Sequence, residues 1–301
     1  MSDLAHLQPA FRPYALLPAE ERISWIRQDR WIGYPRADHI LKRLQELLSY
    51  PPRDRMPCLL LFGATGMGKT RIIQKFLRDN RSSFDEITGT TRVPVAAIQM
   101  PPAPSERDFY EELLVGLHTV VPAALSATAL RHRSRIAARQ LSVRMLVIDE
   151  IHSMLAGTFR EQRIFLNAIR FLANDLRLPL VCVGTQEAKQ ALMTDQQLAD
   201  RFEACELPAW RDDAALTQLL VSIASVLPLR QQSDVRNPQW QKRVYSLTEG
   251  VMVRMCRLLE EAALRSIENG RERIDLESLT DDLMAHTLVS ISDRRSRRAT
   301  G

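Results

Sequence analysis

Apolar and polar residues divide the chain into two regions with different patterns. Between residues 31 and 211, short uninterrupted apolar runs alternate with longer segments whose apolar positions recur every three or four residues. A short apolar run is typical of a buried strand, and the wider spacing is typical of an amphipathic helix. Their alternation predicts an α/β fold, with a parallel sheet covered by helices on both faces. The predicted strands are Leu59–Phe62, 93–100, 143–150, 178–185 and a short strand within 202–210.

Helices are predicted between these strands and throughout the C-terminal region. Ser105 is predicted to cap one of them, since its hydroxyl can accept a backbone N–H and acidic residues follow in the first turn. Pro18 marks the start of another helix near the N-terminus. The remaining predicted helices cover 35–50, about 126–141, about 159–176, 212–226, 238–247, 250–268 and 276–290.

These patterns predict an ordered series of domains. Residues 1–30 form an N-terminal extension, residues 31–211 an α/β core, and residues 212–292 an all-helical domain. Residues 293–301 form a basic tail that is predicted to be disordered. The extension and the tail are candidate partner surfaces because of their location alone.

The first predicted strand runs into a glycine-rich turn with the spacing G-x-x-x-x-G-K-[ST], which is typical of a phosphate-binding loop. Glycines let the backbone approach an anion closely, and the N–H groups of the turn and of the following helix can point at phosphate oxygens. The lysine is expected to reach the β- and γ-phosphates, and the threonine to hold Mg²⁺. The predicted nucleotide-binding residues are Gly63, Ala64, Thr65, Gly66, Met67, Gly68, Lys69 and Thr70.

Two carboxylates end the third predicted strand, at the sheet edge where ligands bind in open α/β folds. Asp149 is predicted to hold Mg²⁺, and Glu150 to polarise a water molecule that attacks the γ-phosphate. Thr185 follows the fourth strand at the same edge, where its hydroxyl can sense the γ-phosphate or orient the water. This set favours ATP hydrolysis over phosphoryl transfer to a metabolite.

Two arginines are further candidates for contact with the phosphates. Arg201 precedes the fifth strand and is expected either to reach the γ-phosphate bound to a neighbouring subunit or to form a structural ion pair. Arg254 follows Gly250 in the helical domain and is a candidate lid residue, with Arg257 as the alternative.

Composition adds limited information about partners and compartment. The net charge of +5 permits a polyanionic partner without requiring one. The four cysteines form no C-x-x-C pair, so buried reduced thiols are expected. His152 has no cluster of potential ligands around it in the sequence, so it is not expected to bind a metal. An apolar stretch long enough to span a membrane and a secretion signal are both missing, so a cytoplasmic location is expected.

Several of these stretches together resemble the AAA+ ATPases over about residues 31–290, and more narrowly the TniB-like transposition proteins. That resemblance implies a P-loop NTPase core with a C-terminal helical lid. It also implies a switch that assembles with ATP into a homo-oligomer on duplex DNA and that recruits and activates a DDE transposase. The stretches that carry it are RMPCLLLFGATGMGKT, MLVIDEIHSML, LVCVGTQEA, LADRFEACELPAW and TEGVMVRMCRLLEEAA.

The resemblance also suggests a role for the segment RWIGYPRA. Related ATPases close over adenine at this place, so Tyr34 is a candidate to contact the base, with plain core packing of Trp31 and Tyr34 as the alternative.

A row of arginines lies between the second and third predicted strands. Arg131, Arg135 and Arg139 are spaced by four and therefore share one helical face, called here the arginine stripe. Such a face can follow a DNA backbone without reading its sequence, or it can simply be solvated.

Three other functions remain open at this point. A helicase loader or replication-initiation ATPase would use the same core. A P-loop kinase would transfer phosphate to a small metabolite as a monomer. A nucleotide-gated scaffold would hydrolyse little ATP, although the predicted set of Lys69, Asp149 and Glu150 favours hydrolysis.

Overall fold

The structure is a computed structural model that describes residues 4–121 and 125–286. Its strands are β1 (Cys58–Phe62), β2 (Ser83–Asp85), β3 (Thr90–Arg92), β4 (Val95–Gln99), β5 (Met145–Asp149), β6 (Leu180–Gly184) and β7 (Phe202–Glu206). Its α-helices are α1 (Arg12–Ala15), α2 (Ala19–Ile26), α3 (Pro35–Ser49), α4 (Lys69–Asp79), α5 (Glu106–Gly116), α6 (Ala127–Gln140), α7 (Phe159–Leu176), α8 (Gln186–Met193), α9 (Gln196–Ala199), α10 (Ala214–Ala224), α11 (Pro238–Thr248), α12 (Met252–Glu268) and α13 (Asp281–His286). Short 3₁₀ helices occupy Pro9–Phe11 and Ile151–Ala156.

A parallel sheet forms the centre of the α/β region. Within the described residues it contains five strands in the order β4-β5-β6-β1-β7. Strands β1 and β6 are buried along their whole length, which explains why their sequences are continuous apolar runs. The predicted parallel sheet and the helical C-terminal region are both confirmed.

The pairing register brings the carboxyl ends of the inner strands together. Phe62, the last residue of β1, pairs with Gly184, the last residue of β6. Strand β6 also pairs with β5, so it lies between the strand that leads into the phosphate-binding loop and the strand that ends in Asp149. The candidate site is therefore assembled at one edge of one sheet.

The core packs on this sheet through aromatic and aliphatic side chains of α5 and α7. Phe109 and Phe165 are fully buried, and their rings meet edge to face with centroids 5.4 Å apart. Burial of each such side chain contributes roughly 1.5–3 kcal/mol, so the helices hold the sheet and its loops in place.

Two local features differ from the sequence-based prediction. The antiparallel hairpin β2–β3 was not predicted, because its residues are mostly exposed and form no apolar run. The predicted helix start at residue 276 is wrong, since α13 begins at Asp281. There, Asp275 accepts hydrogen bonds from the N–H and hydroxyl of Ser278, and these bonds form a turn instead.

Other helix predictions agree closely with the described structure. Helix α7 covers Phe159–Leu176, and α6 and α11 differ from prediction by about a residue at their ends. The Ser105 hydroxyl accepts the Asp108 N–H at 3.2 Å, as expected for an N-cap. Residues 287–290 of the last predicted helix and the tail 293–301 lie outside the described residues.

The described residues separate into two compact units. The first, called here the α/β unit, comprises Arg36–Pro208. The second, called here the helical unit, joins the segment that ends at Pro35 to the segment that begins at Ala209. The predicted boundaries were 30/31 and 211/212, with the N-terminal residues as a separate extension. The structure instead places these residues with the C-terminal helices.

A buried ion pair connects the two segments of the helical unit. The Arg22 guanidinium, whose residue is 1% exposed, donates to both carboxylate oxygens of Glu272 at 2.6 and 2.7 Å. It also donates to the carbonyl of Pro228 at 3.2 Å. A guanidinium can be buried only where such partners surround it, so these contacts explain why α2 packs with the C-terminal helices.

A close backbone contact fixes another part of the helical unit. The Trp210 N–H donates to the Gly250 carbonyl at 3.0 Å, and Gly250 has a φ of 69°. A Cβ atom at Gly250 would lie 2.1 Å from the Trp210 carbonyl oxygen. Only glycine fits there, which gives a physical reason for the glycine of the TEGV stretch.

Candidate nucleotide-binding site

The phosphate-binding loop joins the end of β1 to the start of α4. Gly68 is the N-cap residue of α4 and has φ 90° and ψ 13°, a conformation that side chains with a Cβ disfavour. Helix α4 begins at Lys69. The N–H groups of its first turn, which have no acceptor in a preceding turn of the helix, therefore lie beside the loop, in an arrangement suited to an anion.

The Lys69 side chain is held by the loop itself. Its Nζ donates to the carbonyls of Gly63 at 2.8 Å and Ala64 at 2.9 Å, and the residue is 7% exposed. Burial lowers the pKa of this ammonium, while the nearby Glu150 and Asp149 act in the opposite direction. A phosphate bound in the loop would give this buried cation an anionic partner.

Thr70 and Asp149 come together across the sheet edge. The Thr70 hydroxyl donates to Oδ2 of Asp149 at 2.9 Å, and the other carboxylate oxygen accepts the Glu150 N–H at 2.8 Å. Magnesium prefers oxygen ligands and retains several waters, so a hydroxyl and a carboxylate in contact suit it. The predicted magnesium residues are therefore neighbours in space. Among the described residues, no group of three or more His, Cys, Asp or Glu is placed to hold a metal.

Glu150 adopts an unusual backbone conformation. Its φ of 55° and ψ of 35° lie in the left-handed region, which non-glycine residues rarely occupy. Its side chain is 39% exposed, and Oε2 lies 3.2 Å from Nε2 of His152. Strain of this kind is often found at functional sites. The carboxylate is accessible to water directly after the strand that carries Asp149.

Thr185 follows Gly184 at the end of β6, in the same row as the groups above. It is the N-cap residue of α8, but among the described residues its side chain makes no capping hydrogen bond. Its hydroxyl donates to Oε2 of Glu187 at 3.4 Å. The hydroxyl therefore lies at the end of the strand between β1 and β5, where a γ-phosphate sensor is expected.

Arg201 lies at the opposite end of the sheet from this row of groups. Its carbonyl accepts the N–H of Cys58, the first residue of β1, at 2.9 Å. Its Nη1 donates to Oδ1 of Asn174 at 2.6 Å, a partner that the sequence gave no signal for. This placement explains why Arg201 is not part of the Lys69 site of its own chain.

Two predicted site residues belong to the helical unit. Arg254 pairs with Glu249 at 2.5 Å. Tyr34 is 2% exposed, and its ring meets the Trp210 ring edge to face at 5.5 Å. This burial favours core packing over adenine contact for Tyr34, the alternative that the sequence had left open.

The arginine stripe packs on α7 and faces carboxylates. Arg135 donates to both oxygens of Asp175, at 2.7 and 2.5 Å, and Arg139 donates to one of them at 2.6 Å. Arg131 lies 3.5 Å from Glu106. The hydrogen bond from Arg135, together with its charge and that of Arg139, lowers the pKa of Asp175 against the effect of burial. These acidic partners offset part of the charge expected of the stripe.

Two of the four cysteines, Cys58 and Cys182, are buried as expected and have the environments of unreactive thiols. Burial raises the pKa of Cys58 to about 11 and also raises that of Cys182. Cys205 and Cys256 are partly exposed.

Sequence comparison identifies the family of this chain. A family model described as bacterial TniB protein matches residues 22–212, which is more than half of the chain. The chain belongs to the TniB family. No curated protein matches it.

Solved structures similar to this TniB protein have the AAA+ ATPase fold. The ORC2 protein of Aeropyrum pernix, in ADPNP and ADP complexes, matches with a TM-score of 0.61 and 13% identity, over 91% of this chain and 73% of that one. Cdc6p of Pyrobaculum aerophilum matches with a TM-score of 0.61 and 16% identity, over the same 91% and 73%. Drosophila ORC bound to DNA matches with a TM-score of 0.57 and 12% identity, over 96% and 70%. These identities establish the fold alone.

In the part of this TniB protein that the structure describes, every helix is too short or too polar to cross a membrane.

Proposed function

We propose that this TniB protein binds ATP with Mg²⁺ and hydrolyses it. One observation carries the proposal: Lys69, the Thr70–Asp149 pair and Glu150 occur together at the carboxyl edge of one parallel sheet. Lys69 and the loop would hold the phosphates, and Thr70 and Asp149 would hold Mg²⁺, which neutralises phosphate charge when bound. The solved relative in ADPNP and ADP complexes supports nucleotide as the ligand.

Glu150 favours water as the acceptor of the γ-phosphate. Its carboxylate is 39% exposed and follows the magnesium residue directly, so it can take a proton from a water molecule beside the phosphate. Thr185 would orient that water or sense the phosphate. Arg201 would act on the nucleotide of a neighbouring subunit, as expected for an arginine that lies away from its own chain's loop.

We further propose that hydrolysis serves as a switch. The ATP-bound protein would assemble into oligomers on duplex DNA, largely independently of sequence, and would recruit and activate a DDE transposase. Membership of the TniB family supports this role, as do the net charge of +5 and the DNA-bound structures of similar fold. Hydrolysis would then disassemble or redistribute the oligomers. Arg254 of the helical unit would respond to the nucleotide.

Electron microscopy of the purified protein with duplex DNA tests the switch. The arms contain no nucleotide, ADP, or a non-hydrolysable ATP analogue, at low salt where phosphate contacts are strongest. We expect rings or filaments on DNA only with the analogue, and none with the analogue when Lys69 is replaced by alanine. Unassembled protein in all arms would overturn the proposal. Co-sedimentation of a DDE transposase with the DNA-bound oligomers tests recruitment.

Replacement of Asp175 by asparagine tests the arginine stripe. If the stripe contacts DNA, removal of this carboxylate frees Arg135 and Arg139 for phosphate oxygens, so DNA binding strengthens. The slope of log K against log salt should steepen by about 0.9 for each added phosphate contact. Fluorescence anisotropy of labelled duplex DNA across a salt series measures this slope.

Asp54→Asn is the matched control for this experiment, because Asp54 also pairs with an arginine, Arg177, at 3.2 Å on an exposed surface of the α/β unit. An equal gain in both variants would show a general charge effect. An unchanged slope in Asp175→Asn would place DNA elsewhere on the protein.

A further inference from the structure

His152 lies against the carboxylate that the proposed function assigns to water activation. Its Nε2 is 3.2 Å from Oε2 of Glu150, and its side chain is 22% exposed against 39% for Glu150. The left-handed backbone at Glu150 starts the short 3₁₀ helix in which His152 is the second residue. This turn folds the chain back so that the imidazole faces the carboxylate two residues before it.

The Nδ1 side of the imidazole packs against Gly184, the last residue of β6. Its Nδ1 is buried and has no hydrogen-bond partner among the described residues. A Cβ atom at Gly184 would lie 3.2 Å from this Nδ1 and 2.8 Å from the Cβ of Ala188. The ring therefore occupies a space that exists because residue 184 is glycine, and Thr185 follows immediately.

The protonation pattern of His152 follows from these two environments. The Glu150 carboxylate, whose Oε2 lies 3.2 Å from Nε2, favours the hydrogen on that nitrogen, which leaves Nδ1 with a lone pair in the neutral ring. An unsatisfied buried acceptor destabilises the fold, and such groups are uncommon in native proteins. A chain that only needed to fill this space could do so with an apolar side chain at lower cost.

We propose that His152 is a positioning residue for ATP hydrolysis. Its Nε2–H orients the Glu150 carboxylate, and its ring, which packs against Gly184 next to Thr185, holds that carboxylate in place. This inference rests on the proposed function. The groups assigned to phosphate and magnesium binding are held by other contacts, between Lys69 and the loop and between Thr70 and Asp149. Loss of His152 should therefore reduce kcat and leave KM for ATP nearly unchanged.

Three substitutions separate orientation from packing. His152→Ala and His152→Asn should lower kcat roughly 10–100-fold, the usual loss when a group that orients a site residue is removed. His152→Gln should recover part of that loss, because the glutamine amide nitrogen can reach the position of Nε2. His39→Gln, on the exposed face of α3, is the matched control and should behave as the unsubstituted protein. KM for ATP should stay within about twofold in every variant.

A double-variant experiment distinguishes an orienting role of His152 from a packing role. Single-turnover hydrolysis is measured for His152→Ala in the background of Glu150→Gln. If His152 acts through the Glu150 carboxylate, the second substitution costs less than about twofold there, since residues that act as a unit are non-additive. The inference would be overturned if His152→Ala lowered the hydrolysis rate as much in the Glu150→Gln background as in the unsubstituted protein. It would also be overturned if His152→Gln and His152→Ala lowered the rate equally.

The outcomes distinguish this inference from the proposed function. Normal hydrolysis by His152→Ala would overturn the positioning role alone. Absence of hydrolysis in the unsubstituted protein would overturn the proposed function and the inference together.

Discussion

Glu150→Gln is expected to reduce ATP hydrolysis by roughly 10²–10⁴-fold, the usual contribution of a general base. Glutamine matches the size of glutamate but cannot accept the proton of the attacking water. Binding of ATP should stay within about twofold, because Lys69, Thr70 and Asp149 keep their contacts with the loop and with each other. Phosphate release measures the first quantity, and titration with a fluorescent ATP analogue measures the second.

Glu112→Gln is the matched control, because Glu112 is an exposed glutamate on α5 of the same unit. It should hydrolyse ATP at the normal rate. Near-normal turnover by Glu150→Gln, with ATP bound normally, would contradict the assignment of Glu150. If the switch operates as proposed, the Glu150→Gln protein should also keep its oligomers on DNA in the presence of ordinary ATP.

Arg22→Met is expected to destabilise the helical unit by about 3–5 kcal/mol. Arg22 is 1% exposed and bonds both oxygens of Glu272, so its loss leaves a partly buried carboxylate without its main partner. The four tryptophans, Trp25, Trp31, Trp210 and Trp240, all belong to the helical unit. Tryptophan fluorescence during denaturant unfolding therefore reports on this unit selectively.

Two controls accompany this measurement. Arg22→Met combined with Glu272→Gln should recover much of the loss, since removal of both charges costs less than removal of one. Arg271→Met breaks an exposed pair with Glu277, at 3.5 Å in the same helical unit, and should cost no more than about 1 kcal/mol. A loss below that value for Arg22→Met would show that the ion pair does not hold the N-terminal segment.

The same pair makes a pH dependence testable. Burial acts to raise the pKa of Glu272, but the bonds and charges of Arg22 and Arg230 outweigh it and lower this pKa below its usual 4.5. A carboxyl with a depressed folded-state pKa contributes stability above its unfolded pKa, and this contribution is lost as the pH falls through the folded value. The stability difference between the unsubstituted protein and Arg22→Met should therefore shrink below about pH 4.5.

Much of the α/β unit could be predicted from sequence because its signals are local. A buried parallel strand such as Cys58–Phe62 is a continuous apolar run, and the phosphate-binding loop must keep a fixed spacing to curl around an anion. Asp149, Glu150 and Thr185 were placed at one edge because the carboxyl ends of parallel strands share it. These inferences require only short stretches of chain and a general rule of topology.

Contacts between distant residues could not be predicted in the same way. Arg22 and Glu272 lie 250 positions apart, and no pattern in either stretch indicates their pairing. The Asp175 carboxylate that meets the arginine stripe lies on another helix, so helical spacing alone overestimated the free charge of that face. His152 was expected not to bind a metal, and its contact with Glu150 could not be predicted because it depends on a left-handed backbone that sequence does not reveal.

The division of the helical unit has a consequence for biosynthesis. The α/β unit is inserted between the two segments of the helical unit, so the ribosome completes the whole sheet before the C-terminal helices exist. At a synthesis rate of roughly 5–20 residues per second, Glu272 is added on the order of ten seconds or more after Arg22. During that interval the N-terminal helices expose apolar surface and an unpaired guanidinium. The nascent chain should therefore bind chaperones through its first residues, although the α/β unit behind them is already folded.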